Sequence, residues 1–147
     1  MNYEVIPFLS MNGEAADAIV FYEKTLGAKV LLRKSSKEMQ QMNPNFTYPP
    51  GQNEYNTHSV LEIGANKIMI AEEAMDAERP WDLGNSASLC IQSRDQGQID
   101  QLYEALVKHE GVRVLVPYEQ NEFSPRYGIV RDPFGVVIQL CVTVHDF

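Results

Sequence analysis

The sequence predicts an α+β fold made of two βαβββ modules. The same order of features, namely strand, helix, stopping glycine, strand, loop and hairpin, occurs twice along the 147 residues. Self-similarity of this kind indicates a duplicated unit whose halves bury each other's apolar faces. The length suits one domain. We therefore expect one domain over residues 1–147, with a first module at 1–73, a connector at 74–85 and a second module at 86–147.

The first module begins with a strand and a helix. Tyr3–Met11 is the strand candidate, and its Pro7 favours a sheet edge, or a strand whose N–H side is free at that point, because proline has no N–H to donate to a ladder. From Glu14 to Leu26 the apolar residues fall at helical spacing. Gly27 then supplies the stop, and a second strand follows over residues 28–33.

The rest of the first module combines a long loop with a hairpin. Residues 34–56 are rich in Pro, Asn and Gln, which predicts irregular structure, but their interspersed apolar residues favour a folded flap over a linker. Residues 57–63 and 66–72 are separated by Gly64-Ala65. They predict two hairpin strands.

The second module repeats this order and ends on the strongest local signal in the chain. Its elements are a strand at 86–93, a helix marked by Ile99, Leu102, Tyr103 and Leu106, a stop at Gly111, a strand at 112–116, a loop at 117–125 and a hairpin at 127–142. The hairpin turns at Asp132-Pro133-Phe134-Gly135, the residue order that a type I turn favours. The order of elements in the first module thus occurs again in the second.

Gln139 is the one strongly polar side chain in the last apolar strand. Side chains alternate across a strand, so Val137, Gln139 and Cys141 share a face. A buried amide without partners costs about 1–3 kcal/mol. Gln139 therefore either bonds a neighbouring strand or faces a cavity.

Composition narrows the classes of partner and the compartment. The formal net charge is −8 at pH 7, which disfavours nucleic acid as a partner, although plain solubility charge explains it as well. No basic leader and no apolar run of about 18 residues is present, so we expect neither a membrane segment nor processing. Cys90 and Cys141 lie in apolar strands without metal-ligand spacing, so we expect buried free thiols and a cytoplasmic protein.

Three stretches carry a resemblance to a known family: PFLSMNGEAADAIVFYEKTLGA, HSVLEIGANKIMIAEE and YGIVRDPFGVVIQL. With them the chain resembles the vicinal oxygen chelate superfamily, also called the glyoxalase and bleomycin-resistance fold, and within it the PhnB-like branch. The resemblance implies a cup-shaped mixed sheet with helices on the outside, usually in a homodimer. It also implies a ligand or metal in the cup.

The same resemblance gives the places from which metal-dependent members take their ligands. Those places fall on about Pro7, Met69, Ser88 and Gln139. Proline, methionine and neutral serine are poor ligands for hard or borderline divalent ions, and one glutamine cannot hold such an ion against water. We therefore expect no metal and no cofactor.

The function that follows is binding of a small molecule in the sheet cup without a divalent metal, as the acidic bleomycin-resistance proteins bind a cationic drug. The alternative is an enzyme, either one of unknown reaction that uses the cup without a divalent ion, or one of glyoxalase or dioxygenase type, a lyase or transferase, with an atypical metal site using His58 and Gln139. A third reading is a scaffold whose cup is filled by its own side chains. The candidate ligand-binding residues are Gln139, Ser88, His58, Met69, Phe46, Tyr48 and Arg126; catalytic residues are not assigned.

Several of these side chains have a second reading. His58 starts a strand, where the backbone can satisfy it, and Met69 suits core filling as well as an adaptable pocket. His109 and His145 are expected at the surface. The pair Glu72-Glu73 is expected to be a solvated rim.

Overall fold

A computed structural model of the chain describes residues 2–146. Its elements are β1 Phe8–Ser10, α1 Ala15–Leu26, β2 Lys29–Ser35, α2 Ser36–Met42, β3 Asn56–Ile63, β4 Asn66–Ala71, β5 Leu89–Ser93, α3 Gln96–Val107, β6 Arg113–Glu119, β7 Arg126–Arg131 and β8 Val137–Val142. The chain divides between Trp81 and Asp82 into two compact units, called here the first and second units. No helix within residues 2–146 is long and apolar enough to cross a membrane.

Each unit holds one four-stranded mixed sheet, and the two sheets have the same topology. The strand order is β1-β4-β3-β2 in the first unit and β5-β8-β7-β6 in the second. In both, the first strand pairs parallel with the last, and the remaining pairs are antiparallel. The predicted α+β class and the repeated βαβββ order are confirmed.

One long helix covers one face of each sheet. In the first unit Ile19 and Tyr22 of α1 are fully buried, as are Leu61 of β3 and Ile70 of β4. α1 ends where predicted, because Gly27 takes a left-handed φ of 65° that a residue with a Cβ adopts at a cost.

α3 plays the same part in the second unit. Its buried Ile99 and Leu106 belong to the helix that packs against β5 and β8, where Ile138 and Leu140 are fully buried. In each core, apolar residues that recur about every 3.6 positions along the helix pack against every second residue of the strands.

The irregular structure predicted over residues 34–56 is wrong for α2. Ser35 Oγ accepts from Glu38 N at 3.2 Å, and Glu38 Oε1 accepts from Ser35 N at 3.4 Å, which is a complete capping box. The signal, Ser followed three residues later by Glu, was present in the sequence. The rest of the segment is held to the helix start, since Ser36 N donates to Tyr55 O at 2.8 Å.

The ends of two strands also differ from prediction. β1 has three residues and begins after Pro7, whose ring removes an N–H, while Pro7 O still accepts from Met69 N at 2.9 Å. The predicted edge position of this strand is confirmed. β6 continues through Pro117 to Glu119, which an edge strand with an irregular register permits.

The predicted turn between β7 and β8 is confirmed. Gly135 N donates to Asp132 O at 3.1 Å, and Gly135 has a φ of 87°. The buried Asp132 accepts through Oδ1 from Phe134 N and from Val136 N, both at 2.9 Å. The carboxylate therefore satisfies two backbone donors of the turn.

Candidate functional site

The face of the second sheet that is turned away from α3 carries Gln139. Ile138, Leu140 and Val142 of β8 are buried on the α3 side, so alternation places Gln139 and Cys141 on the other face. We call this other face the open face. The pairing register adds to it Ser88 and Cys90 from the β5 side, and Tyr127 and Ile129 from β7.

Three polar side chains form a hydrogen-bonded chain across the open face. Tyr127 Oη donates to Gln139 Oε1 at 2.7 Å, and Gln139 Nε2 donates to Ser88 Oγ at 2.9 Å. Ser88 is exposed, whereas Gln139 and Tyr127 are half-buried. The amide thus bonds both neighbouring strands, the first of the two alternatives expected for it. It keeps one N–H, and Ser88 keeps its hydroxyl hydrogen for another acceptor.

Tyr127 was missed by sequence reasoning, although it belongs to the hairpin that contains Gln139. Burial raises the pKa of its hydroxyl, and the neighbouring Cys90 and Cys141 raise that pKa further. Tyr127 therefore stays protonated at neutral pH and acts as the donor to Gln139. The ring of the exposed Phe123 stands edge-on to it, with centroids 4.9 Å apart. The hairpin register pairs Ile129 with Gln139, and Tyr127 is two residues before Ile129, so side-chain alternation would have placed Tyr127 on the face of Gln139.

The prediction of two buried thiols holds for Cys141 and is wrong for Cys90. Cys141 is 8 % exposed, whereas Cys90 is exposed at the sheet surface. The reason is alternation along β5, where Leu89 and Ile91 are more buried than Cys90. An apolar run does not reveal which of its faces is covered.

Arg126 lies on the opposite face of β7 from Tyr127. Its guanidinium carbon is 5.9 Å from the ring centroid of Tyr118, and that ring stacks on Tyr103 of α3 with centroids 4.6 Å apart. Tyr118 Oη donates to Asp100 at 2.7 Å, and burial, followed by this carboxylate, raises the pKa of the tyrosine. Arg126 thus belongs to an aromatic cluster on the α3 side. Within the second unit, Ser88 and Gln139 are brought together and Arg126 is not.

The remaining candidate residues belong to the first unit. His58 and Met69 share the sheet face turned away from α1, because Met69 pairs with Val60 and His58 lies two residues before Val60. Both are half-buried. His58 also pairs with Lys34 of β2.

Phe46 and Tyr48 lie between α2 and β3. Their rings are tilted with centroids 6.2 Å apart, and both side chains are half-buried. Gln40 Nε2 donates to Phe46 O at 3.1 Å, which ties the segment to α2.

The four places implied for metal ligands do not fit a divalent ion. Pro7 O is used by Met69 N, and Met69 offers only a thioether. Ser88 Oγ and Gln139 Oε1 each already accept a hydrogen bond from a neighbouring side chain. Within residues 2–146, no group of three or more His, Cys, Asp or Glu side chains is arranged to hold a metal ion.

Glu72 departs from the solvated rim expected for Glu72-Glu73. Glu73 is exposed, but the carboxylate of Glu72 is half-buried and accepts from Ala15 N at 2.7 Å and from Asn56 N at 2.6 Å. Burial raises the pKa of Glu72, and these two backbone donors oppose the rise. Glu72 thus joins the first residue of α1 to the first residue of β3. Its partners are backbone groups, so no residue pattern could have indicated it.

A cavity of about 420 Å³ lies beside Glu72 in the first unit. It is lined by Gly13, Ala16, Gly51, Asn53, Glu54, Tyr55 and Glu72. Its two carboxylates give it an acidic wall.

The family comparison agrees with this architecture. Residues 3–141 match the family described as 3-demethylubiquinone-9 3-methyltransferase. The chain belongs to this family. The predicted PhnB-like family is confirmed, and solved structures of the glyoxalase type share its fold.

One relative by sequence and two solved structures resemble the chain at low sequence identity. Protein YjdN of Escherichia coli (strain K12) is 27% identical over 135 residues, which are 88% of this chain and 88% of YjdN. A PhnB protein from Bacillus cereus has a TM-score of 0.70 at 19% identity, with 95% of this chain and 98% of that chain covered. A glyoxalase-related enzyme from Fulvimarina pelagi has a TM-score of 0.65 at 16% identity, with 96% and 88% covered. The TM-scores show a shared fold, whereas identities this low do not transfer an activity, which has to be argued from the site.

Proposed function

We propose that this member of the PhnB-like family binds a small molecule on the open face of the second sheet, without a divalent metal. The chain Tyr127–Gln139–Ser88 carries the proposal, because it fixes a half-buried amide and leaves its second N–H and the Ser88 hydroxyl hydrogen for a ligand. Around these groups Ile129 and Val137 supply apolar surface. Small-molecule sites have this composition, mostly apolar with a few positioned polar groups.

The open hydrogen-bonding groups define the ligand's chemistry. Both are donors, so the ligand presents an acceptor oxygen such as a carbonyl or hydroxyl. The net charge of −8 disfavours an anion. We therefore propose a neutral or cationic molecule with a carbonyl or hydroxyl oxygen that lies against Gln139.

The proposal includes the wider assembly that the resemblance implies. We propose a cytoplasmic homodimer in which His58 and Met69, on the face of the first sheet that is turned away from α1, also contact a ligand, as do Phe46 and Tyr48 between α2 and β3. Support comes from the half-burial of all four side chains on elements of one unit. Arg126 is left out of the binding set, since its guanidinium lies over Tyr118.

The deciding experiment compares two glutamines on the same face. Gln139→Leu removes donor and acceptor at nearly constant volume, whereas Gln92→Leu makes the same change at an exposed position two residues from Cys90. The protein is purified without denaturation, bound small molecules are identified by mass spectrometry, and binding of the recovered compound is measured by calorimetry. Q139L should weaken binding by about 1–3 kcal/mol, since one hydrogen-bonded partner is lost, and Q92L should bind as wild type. Equal binding by Q139L and wild type would refute the assignment.

The enzymatic alternative is separated by metal content. An enzyme of glyoxalase type with a metal held by His58 and Gln139 would carry a divalent ion through native purification. Elemental analysis should instead find well under one zinc, nickel, iron or manganese per chain, and a chelator should leave the melting temperature unchanged. A stoichiometric ion whose removal lowers the melting temperature would favour the enzyme.

A further inference from the structure

The two cysteines are 51 positions apart in the chain and lie close together in the second sheet. β5 pairs parallel with β8, with Cys90 opposite Gln139 and Gln92 opposite Cys141. The two thiols therefore project from the same open face, offset by two residues along adjacent strands. Cys90 is exposed, and Cys141 is buried beside it.

This offset suits a bridging atom better than a disulfide. Adjacent strands about 4.8 Å apart and a two-residue rise of about 6.6 Å separate the two Cα atoms by about 8 Å. A disulfide needs Cα atoms within about 7 Å and sulfurs about 2.05 Å apart. Two metal–sulfur bonds of about 2.3 Å each let the sulfurs stand about 4.6 Å apart. A metal ion can thus join thiols that are too widely spaced to bond each other.

The electrostatic interactions around the two cysteines agree with a short distance between their thiols. Burial raises the pKa of Cys90, and the proximity of Cys141 raises it further. The pKa of Tyr127, which lies opposite Cys141 in the sheet, is raised by burial and then by both thiols. The Cys90 thiol is therefore protonated at neutral pH, and only an ion with high affinity for sulfur displaces its proton.

We propose that Cys90 and Cys141 form a two-thiolate site for a soft monovalent cation, Cu(I). Thiolates select Cu(I) among biological metals, whereas structural zinc requires four protein ligands. Within residues 2–146 no third His, Cys, Asp or Glu side chain completes a cluster that could hold a metal. On binding, each thiol releases one proton to solvent, copper remains in the +1 state, and two Cu–S bonds form. The site shares the open face with the small-molecule site proposed above but uses different side chains.

The test titrates Cu(I) into the reduced full-length protein, without oxygen, against a chromophoric Cu(I) chelator. Wild type should take one Cu(I) per chain, with affinity that falls as the pH is lowered. Cys90→Ser and Cys141→Ser should each lower the affinity by about 100-fold or more, since the second bond of a chelate gains roughly 10²–10⁴ from effective concentration. The double variant gives the background from the six methionines.

Two outcomes would overturn the site. Equal affinity in wild type and C141S would leave Cys90 as a single surface ligand. One Cu(I) per two chains, with copper-dependent dimerisation, would mean that two Cys90 thiols from different chains hold the ion. If C141S fails to fold, X-ray absorption of the copper-loaded wild type decides instead, because the proposed site gives two sulfur ligands per copper at one copper per chain, and one sulfur per copper would refute it. Q139L should retain Cu(I) while losing the small molecule, so failure of either proposal is recognised separately.

Discussion

Replacing Glu72 by alanine should destabilise the protein, because two buried backbone donors lose their acceptor. Ala15 and Asn56 are 0% and 1% exposed, and the N–H of each donates to one carboxylate oxygen of Glu72. Each orphaned donor costs about 1–3 kcal/mol. Glu72 is itself half-buried, so water replaces part of the loss and removal of its charge relieves some desolvation. Two such donors together would cost about 2–6 kcal/mol, and because of these offsets we expect a loss of about 2–4 kcal/mol in the free energy of unfolding.

Guanidinium denaturation followed by circular dichroism measures this loss. A thermal melt should show a decrease of about 5–15 °C, from the usual 2–4 °C per kcal/mol in a chain of this size. Glu73→Ala is the matched control, since that neighbouring carboxylate is exposed and only its backbone oxygen accepts from Ser10. If E72A and E73A unfolded within 0.5 kcal/mol of each other, roughly the effect of an ordinary surface change, the clamp between α1 and β3 would be refuted.

The pH dependence of the same residue has a definite sign. The folded-state pKa of Glu72 is raised above its ordinary value of 4.5. The part of its contribution to stability that depends on protonation is therefore fully present below pH 4.5 and is lost as the pH rises through the raised folded pKa. Glu72→Gln lacks this component, so wild-type stability relative to E72Q should fall between that pH and neutrality. A difference that rises with pH would contradict the assignment.

Three further predictions concern the backbone, the thiols and the assembly. Gly128→Ala should cost more stability than Gly97→Ala in a denaturation series, because a Cβ at Gly128 would stand 2.9 Å from the backbone Cα of Tyr118, whereas at Gly97 the nearest atom is Asp95 Oδ1 at 3.4 Å, and equal losses would contradict this. Iodoacetamide should modify Cys90 in the native protein and Cys141 only after unfolding, as measured by mass spectrometry. Modification in the opposite order would contradict the burial of Cys141. Sedimentation should give about twice 16.7 kDa for the proposed homodimer, and a monomer at micromolar concentration would contradict it.

Local patterns were sufficient for most of the fold. The α1 stripe with Gly27, the Asp132–Gly135 turn and the duplicated order of elements predicted the two modules, since helix periodicity and turn chemistry act over a few residues. The one missed element, α2, carried its capping box in Ser35 and Glu38. Strand ends were less predictable, because where a ladder stops depends on its neighbour.

For the site, too, local patterns predicted one part and the alignment of strands decided the other. Alternation within β8 singled out Gln139 from the sequence, and its identity as the one polar group of that strand was correct. Its partners Tyr127 and Ser88 depend on how three strands are aligned, and a shift of one residue would have turned every side chain to the other face.

The tertiary structure alone decided which separate residues meet. Cys90 was read as buried because a strand's sequence shows two faces without telling which one a helix covers. Arg126 was expected to bind the ligand together with Gln139, yet its side chain lies on the α3 side, over Tyr118. Glu72 binds backbone N–H groups that every residue carries, so its role has no signature in the sequence. The sequence thus determined the elements and their faces, while packing determined their register and therefore the chemistry.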